Sequence, residues 1–178
     1  MLLNYMSGPQ FDGLDDFNSG NPQFDGLFNS QQSSVYSRET STNQTYTSGT
    51  GGGYIIFTTD SNSLGSVPIS TTNNYLFTNT ASTTLAFLIT CNVSWIADVA
   101  GNGAKQQWIS KNNSEVNRFG FTSMVSVANH SQATIVSAVV VLAPSEYFGV
   151  RVFQNTGHAQ SINGSTNEKC KIQITQIK

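Results

Sequence analysis

The sequence predicts an all-β fold, an antiparallel β-sandwich that follows an extended N-terminal arm. Charged residues make up only 10% of the chain, and Ser, Thr, Asn, Gln and Gly supply most of its polar groups. That composition favours strands joined by turns over helices. From Tyr54 onward the chain consists of short apolar runs in which every second residue is apolar, with no helical pattern between them. This spacing is typical of a sandwich of short strands.

Composition also divides the chain into three parts. Residues 1–36 contain isolated Phe and Leu among Gly, Asn, Ser and Gln, and are predicted to form an extended arm. Residues 37–53 are rich in Ser, Thr and Gly and offer nothing to bury, so they are predicted to be a linker. Residues 54–178 are predicted to be the folded head, because one domain of ordinary size fits this length.

The first four predicted strands of the head lie between residues 54 and 128. Residues 54–59 and 75–77 are predicted as short strands. Residues 84–98 alternate most clearly, with one dry face and one wetter face. The segment 118–128 repeats the alternation. The residues predicted to share the dry faces are Phe87, Ile89, Cys91, Val93 and Trp95 in the third segment, and Phe119, Phe121, Val125 and Val127 in the fourth.

The segment 133–144 differs because both of its alternating sets are apolar. One set is Ile135, Val139 and Val141, and the other is Val136, Ala138, Val140 and Leu142. A strand that is apolar on both sides is buried on both sides. Because one face of a sandwich strand meets the partner sheet, the second face requires an inserted loop or another subunit. Strands in 146–157 and 168–178 complete the head, and a jelly roll is the expected topology.

Several function classes find no support in the sequence. A net charge of −2 argues against a nucleic-acid surface. Every apolar run is shorter than the roughly 18 to 20 residues that span a bilayer. The first ten residues lack the basic start and apolar stretch of a signal peptide, so synthesis in the cytoplasm of a host cell is expected. We therefore expect neither nucleic acid nor membrane as a partner.

No catalytic, cofactor or metal site is predicted. His130 and His158 lie in polar turn-like segments without a partnered nucleophile, and no serine has the Gly-x-Ser-x-Gly pattern. The acidic residues of the arm lack the regular spacing of a calcium loop. Cys91 and Cys170 are expected to be buried free thiols, with a disulfide between two strands as the alternative.

The hexapeptide PQFDGL occurs twice in the arm, at residues 9–14 and 22–27. Each copy is a candidate docking motif, in which Phe and Leu fill pockets on a partner, Asp-Gly turns the chain and Pro limits the unbound ensemble. Neutral duplication is the alternative, since such segments tolerate insertions. A small two-repeat fold is set aside, because two copies cannot build a core. The predicted anchoring residues are Pro9, Phe11, Asp12, Gly13, Leu14, Pro22, Phe24, Asp25, Gly26 and Leu27.

The last third of the chain resembles the trimeric jelly-roll family shared by the complement globular head and tumour necrosis factor, called TNF-like below. The matching positions, in chain order, are Leu142, Glu146, Phe148, Val150, Val152, residues 155–157, Ile172 and Ile174. Two features depart from the family pattern, the turn sequence APSE in place of Gly-Asp and the charged Lys178 at the end. The resemblance implies a homotrimer. Its predicted interface residues are Val136, Val140, Tyr147 and Phe153.

These features together predict a structural virion protein, a capsid decoration or head fibre. Its arm would bind a major capsid protein or another repeating shell protein, and its trimeric head would project from the virion surface. One alternative is a head that binds a host-surface glycan or receptor through the loops 101–107 and 157–166. Another alternative is a bacterial surface or spore-coat protein with the same head.

Overall fold

The computed structural model describes residues 34–49, 52–99, 101–165 and 168–178. These residues form thirteen strands, arranged in two sheets, and no helix. The described part of the chain therefore holds no helix that could cross a membrane. The predicted all-β antiparallel sandwich is confirmed.

Seven strands form the first sheet and six form the second. All of their pairings are antiparallel. The first sheet contains β1 (Val35–Glu39), β2 (Gln44–Tyr46), β4 (Thr59–Asp60), β7 (Leu85–Trp95), β10 (Gln132–Leu142), β12 (Gln160–Ile162) and β13 (Lys171–Ile177). The second contains β3 (Gly53–Tyr54), β5 (Ile69–Thr72), β6 (Leu76–Asn79), β8 (Ala104–Lys111), β9 (Arg118–Val125) and β11 (Tyr147–Gln154).

Strand β7 is the centre of the first sheet. It pairs with β10 along one side and with β13 and β12 along the other. Beyond β13 lie β1 and β4, and beyond β12 lies β2. The second sheet has the order β5, β6, β11, β8, β9, with β3 also paired to β11. Neighbours in space come from distant parts of the chain, as the jelly-roll prediction requires.

The hydrophobic core lies between the two sheets. The five alternating residues predicted for the dry face of β7 are all fully buried. They meet residues of the second sheet, where Phe77 stacks on Phe148 with ring centroids 5.2 Å apart. Further fully buried core residues include Ile55, Phe57, Ile109, Val136, Val140, Leu142, Val150, Val152, Ile172 and Ile174.

The segment 37–53, predicted to be a linker, contributes to three strands of the sandwich. Residues 35–39 form β1, which pairs with β13 over five residues, and residues 44–46 form β2. Most side chains of the segment 37–53 are polar, yet Ser37 and Thr40 are fully buried. The Ser37 hydroxyl donates to the Ile172 carbonyl at 3.2 Å and the Thr40 hydroxyl to the Asn163 carbonyl at 3.0 Å. Small polar side chains can be buried when the backbone accepts their hydrogen bonds.

The segment 54–59 is not the single strand that its sequence predicts. Tyr54 ends β3 in the second sheet and Thr59 begins β4 in the first, so the chain crosses from one sheet to the other between them. Ile55 and Phe57 are fully buried along this crossing. Their alternation therefore arises from burial in the core and not from a continuous ladder.

The dry face predicted for the fourth segment is also wrong. Phe119 packs against the core, whereas Phe121 is 46% exposed and Val125 is 71% exposed. The alternation changes face at Gly120, which has φ +60° and lies opposite a register shift in β8. A Cβ atom at Gly120 would lie 2.5 Å from the Ser137 carbonyl oxygen, so only glycine fits where β9 passes β10.

The turn APSE, where the sequence departs from the TNF-like pattern, is closed by Glu146. Its carboxylate accepts a hydrogen bond from the Ala143 backbone N–H at 2.8 Å and one from the Asn112 amide at 2.7 Å. It also forms an ion pair of 2.6 Å with Lys111. Glu146 thus ties the β10–β11 turn to the β8–β9 turn. The Lys111 ammonium and these two donors lower the pKa of the Glu146 carboxyl to about 2.

Replacing Glu146 by Gln should destabilise the protein in a pH-dependent way. The folded pKa of about 2 lies below the ordinary value of 4.5, so the carboxylate stabilises the fold in full above pH 4.5 and less as the pH falls toward 2. We expect a lower melting temperature for Glu146→Gln at pH 7 and a shrinking difference between the two proteins below pH 4.5. Thermal unfolding followed by circular dichroism measures both. An equal difference at pH 7 and pH 3 would contradict this role of the ionised carboxylate.

Candidate functional site

Strand β10 presents one of its two apolar sides to the outside of the sandwich. Val136 and Val140 are fully buried in the core. Ile135, Val139 and Val141 alternate with them and are 62%, 50% and 51% exposed. Since successive side chains of a strand point to opposite faces, these three lie on the outer face of the first sheet.

The neighbouring strands extend this exposed apolar surface. Val139 lies opposite Leu88 of β7, and Val141 lies opposite Ala86. On the other side of β7, Ala86 lies opposite Ile177 of β13. Leu88 is 41% exposed and Ile177 is 43% exposed. Directly opposite residues have Cβ atoms about 4.5–5.5 Å apart, so the side chains form a continuous patch. We call Ala86, Leu88, Val139, Val141 and Ile177 the apolar face.

Polar residues border the apolar face farther along the same three strands. Thr90 of β7 lies opposite Ser137 of β10, and their hydroxyl groups are 3.1 Å apart. Gln173 and Lys171 of β13 continue this polar region. The apolar face itself contains no charged residue. A contiguous apolar area with a polar rim is typical of a protein–protein contact, whereas single exposed apolar residues are ordinary.

A second apolar strip runs along the adjacent edge of the sandwich, where β9 passes β10. Phe121, Val125 and Ile135 are all exposed there. The Thr122 hydroxyl donates to the Ile135 carbonyl at 3.3 Å and thus links the edges of the two sheets. We call Phe121, Val125 and Ile135 the β9–β10 edge. Ile135 is on the same side of β10 as Val139, but Ser137 and its neighbour Thr90 lie between them, so one chain carries two apolar patches divided by a polar row.

The four predicted interface residues do not form one surface. Val136 and Val140 lie inside the chain, so they cannot contact another subunit, and the outward side of β10 is the other alternating set. Tyr147 and Phe153 are half-buried residues of β11 in the second sheet. The two pairs thus belong to different sheets. The ten predicted anchoring residues lie outside the described residues.

The loop end of the sandwich contains a buried polar cluster around Asp98. The Asp98 carboxylate is fully buried and lies 2.6 Å from the His158 ring. It also accepts a hydrogen bond from the Ser126 hydroxyl. His158 is therefore paired with a buried carboxylate, although it lies in a polar turn-like segment of the sequence. His130 is exposed, with its ring 2.7 Å from the Ala128 carbonyl oxygen.

This cluster lacks the arrangement of a hydrolase. In a catalytic triad the serine donates to the histidine, and the histidine is oriented by the acid. Here Ser126 donates to the acid instead. The described residues hold no group of three or more His, Cys, Asp or Glu side chains that could bind a metal ion. Asp98 therefore holds the loops of Ser126 and His158 together.

Both cysteines are buried and free. Burial raises the pKa of the Cys170 thiol to about 11 and that of the Cys91 thiol well above its ordinary value. Neither thiol is ionised near neutral pH, so neither is a reactive nucleophile there. The expected state of the two cysteines is confirmed.

No protein-family model matches this chain, and no curated protein matches it. Solved structures do. Murine APRIL at pH 5.0 matches with a TM-score of 0.61 and 10% identity, over 82% of this chain and 100% of that one. Eiger TNF from S. frugiperda matches with a TM-score of 0.54 and 9% identity, over 82% of this chain and 92% of that one. The chain has a TNF-like jelly-roll fold. At these identities the likeness shows the fold alone.

Proposed function

We propose that the chain is a structural, non-enzymatic protein whose TNF-like head forms a homotrimer through the apolar face. The observation that carries this proposal is the uncharged patch across β10, β7 and β13, half-exposed in the single chain. Burying it removes apolar surface from water, worth roughly 25 cal/mol per Å². In this proposal a second copy of the chain covers the apolar face.

The presence of two different apolar surfaces favours a ring over a two-fold dimer. In a two-fold dimer each patch meets its own copy, whereas in a ring one patch meets another patch of the next subunit. The apolar face and the β9–β10 edge supply two such patches on each chain. The TNF-like resemblance implies that this ring contains three subunits.

The arm supports the second part of the proposal, attachment to a repeating shell. Two PQFDGL motifs in each of three chains supply six weak anchors. Linked anchors bind about 10²- to 10⁴-fold more tightly than single ones when the partner presents repeated sites. A viral capsid is such a partner. We therefore propose a decoration or head-fibre role on the virion surface, with assembly in the host cytoplasm.

Replacing the anchor residues should remove attachment in two steps. Phe11→Ala with Leu14→Ala should weaken binding to shell particles roughly tenfold or more, because half of the anchors are lost. Adding Phe24→Ala and Leu27→Ala should abolish it. Co-sedimentation with shell particles from the producing cells measures both, and Leu2→Ala with Leu3→Ala is the matched control in the same arm. If the protein still binds fully after one Phe–Leu pair is replaced, the second PQFDGL copy is a neutral duplication. If the unaltered protein does not bind shell particles, the proposed attachment to a shell is refuted.

A further inference from the structure

A small cavity of about 210 Å³ opens on the outer face of the second sheet. The apolar face belongs to the first sheet, on the other side of the sandwich. Trp108 of β8 and Phe153 of β11 contribute its aromatic walls, and Gln106, Glu115 and Arg118 contribute its polar groups. Trp108 lies opposite Arg151 in the ladder, and Gln106 lies opposite Phe153. Because Val150 and Val152 point inward, these residues point outward.

Arg118 is held in place by an aromatic ring. Its guanidinium carbon lies 4.5 Å from the centroid of the Trp108 ring. Trp108 is only 2% exposed, whereas Arg118 is exposed, so the guanidinium group covers the indole. A guanidinium group stacked on an aromatic face is favourable and loses little further freedom when a ligand binds.

Arg118 also keeps an unbalanced charge. The neighbouring Arg151 forms an ion pair of 2.9 Å with Glu115 and donates to the Gly52 carbonyl at 3.0 Å. Arg118 donates through Nε to the Glu115 carbonyl at 3.0 Å. None of the ion pairs found in the described residues includes Arg118. The two arginines and one glutamate therefore leave one positive charge at the cavity, carried by an exposed guanidinium group.

The other polar groups of the cavity suit hydroxyl groups. The Gln106 amide makes no hydrogen bond within the part of the chain that the structure describes, and it can both donate and accept. The Glu115 side chain is 55% exposed and accepts only. The Trp108 indole N–H is buried without a partner among the described residues.

We propose that this cavity binds one acidic sugar residue of a glycan. The sugar carboxylate pairs with the Arg118 guanidinium group, its hydroxyl groups bond to Gln106 and Glu115, and its apolar ring face lies against Phe153. The cavity is smaller than the roughly 300–1,000 Å³ of pockets for drug-sized ligands, so it holds a single residue. The glycan hypothesis from sequence used the loops 101–107 and 157–166, and the cavity shares only Gln106 with them. The proposal does not depend on trimer formation or on the arm.

The test uses pairs of sugars that differ in the carboxylate. Full-length protein is titrated with glucuronic acid and glucose, and with sialyllactose and lactose, and binding is measured by saturation-transfer NMR and tryptophan fluorescence. We expect the acidic member of at least one pair to bind tenfold or more tightly than the neutral member, with an affinity that falls as NaCl is added.

Three variants separate the expected contacts. Arg118→Gln should weaken binding of the acidic sugar by tenfold or more, while Arg118→Lys, which keeps the charge without the planar stack, should give an intermediate loss. Gln106→Ala should weaken the acidic and neutral sugars by similar factors. Lys178→Gln makes the same charge change at an exposed site outside the cavity and should alter nothing. Circular dichroism verifies that each variant is folded.

Three outcomes would overturn the proposal. The first is that none of the four sugars binds. The second is equal binding of the acidic sugar to the unaltered protein and to folded Arg118→Gln. The third is that acetate binds as tightly as the acidic sugars, which would make the cavity a simple anion site without hydroxyl contacts.

Discussion

Replacing Val139 by Asp is expected to convert the proposed trimer into monomers while each chain stays folded. Val139 is half-exposed in the single chain, so a carboxylate there remains hydrated and costs little folding free energy. In the trimer the same carboxylate would be buried without a partner, which costs roughly 3–5 kcal/mol per charge. Each trimer would contain three such buried carboxylates, one from each chain. Sedimentation equilibrium should report three times the chain mass for the unaltered protein and one times the chain mass for Val139→Asp.

Two matched variants make the result specific to the outer side of β10. Val116→Asp is the same change at a residue that is 91% exposed in the β8–β9 turn, and it should keep the trimer. Val140→Asp is one residue away but fully buried in the core, so it should prevent folding. A monomeric unaltered protein, or a Val139→Asp variant with the mass of the trimer, would refute the proposed contact.

The choice between these two faces shows what the alternation of β10 could and could not predict. Its sequence is apolar on both sides, and one of these sides does face the core, while the other is half-exposed in the single chain. The pattern could not indicate which side is which, because a period of two describes two equivalent faces. Pairing with β7 decides it, since Val140 lies opposite the buried Phe87 and Val139 opposite Leu88.

Strands with polar side chains were harder to predict than apolar ones. Strand β8 includes two glutamines and two lysines, yet Lys105 and Gln107 are fully buried. The Lys105 amine lies 5.6 Å from the centroid of the Trp95 ring and donates to the side-chain Oε1 of Gln132 at 3.3 Å, and burial lowers its pKa. Such partners lie far away in sequence. Strand β8 therefore could not be predicted from the spacing of apolar residues.

The cavity of the second sheet was also beyond sequence analysis. Its residues come from three separate segments, around Gly52, from 106 to 118 and at Phe153. None of these residues belongs to a sequence motif that would mark it as part of a binding site. Only the pairing of β8 with β11 brings Trp108 beside Arg151 and Gln106 beside Phe153. Phe153 itself was predicted to have a role at the surface, but in a contact between subunits.

Removing residues 34–53 should unfold the sandwich, although the sequence predicts a head that begins at Tyr54. Strand β1 covers β13 along five residue pairs, and Arg38 donates to the Asn74 side chain at 3.1 Å and to the Thr58 carbonyl at 3.2 Å. Without β1, the backbone of β13 loses its partner on one side and the core loses the cover of Tyr36. These losses are comparable to the whole stability of about 5–15 kcal/mol of a typical domain.

A chain that starts at Ser34 is the matched control, because it keeps all thirteen strands. Thermal unfolding and ¹H–¹⁵N NMR spectra of the two truncated chains and the full chain measure the effect. Residues 34–178 should melt within a few degrees of the full chain, whereas residues 54–178 should show no cooperative transition. Adding a peptide of residues 34–53 should restore part of the folded spectrum, because it returns the missing partner of β13 and the two chains can then fold together. Equal melting temperatures for both truncated chains would mean that the pairing of β1 with β13 contributes little to stability. Residues 37–53 would then behave as the linker that the sequence predicts.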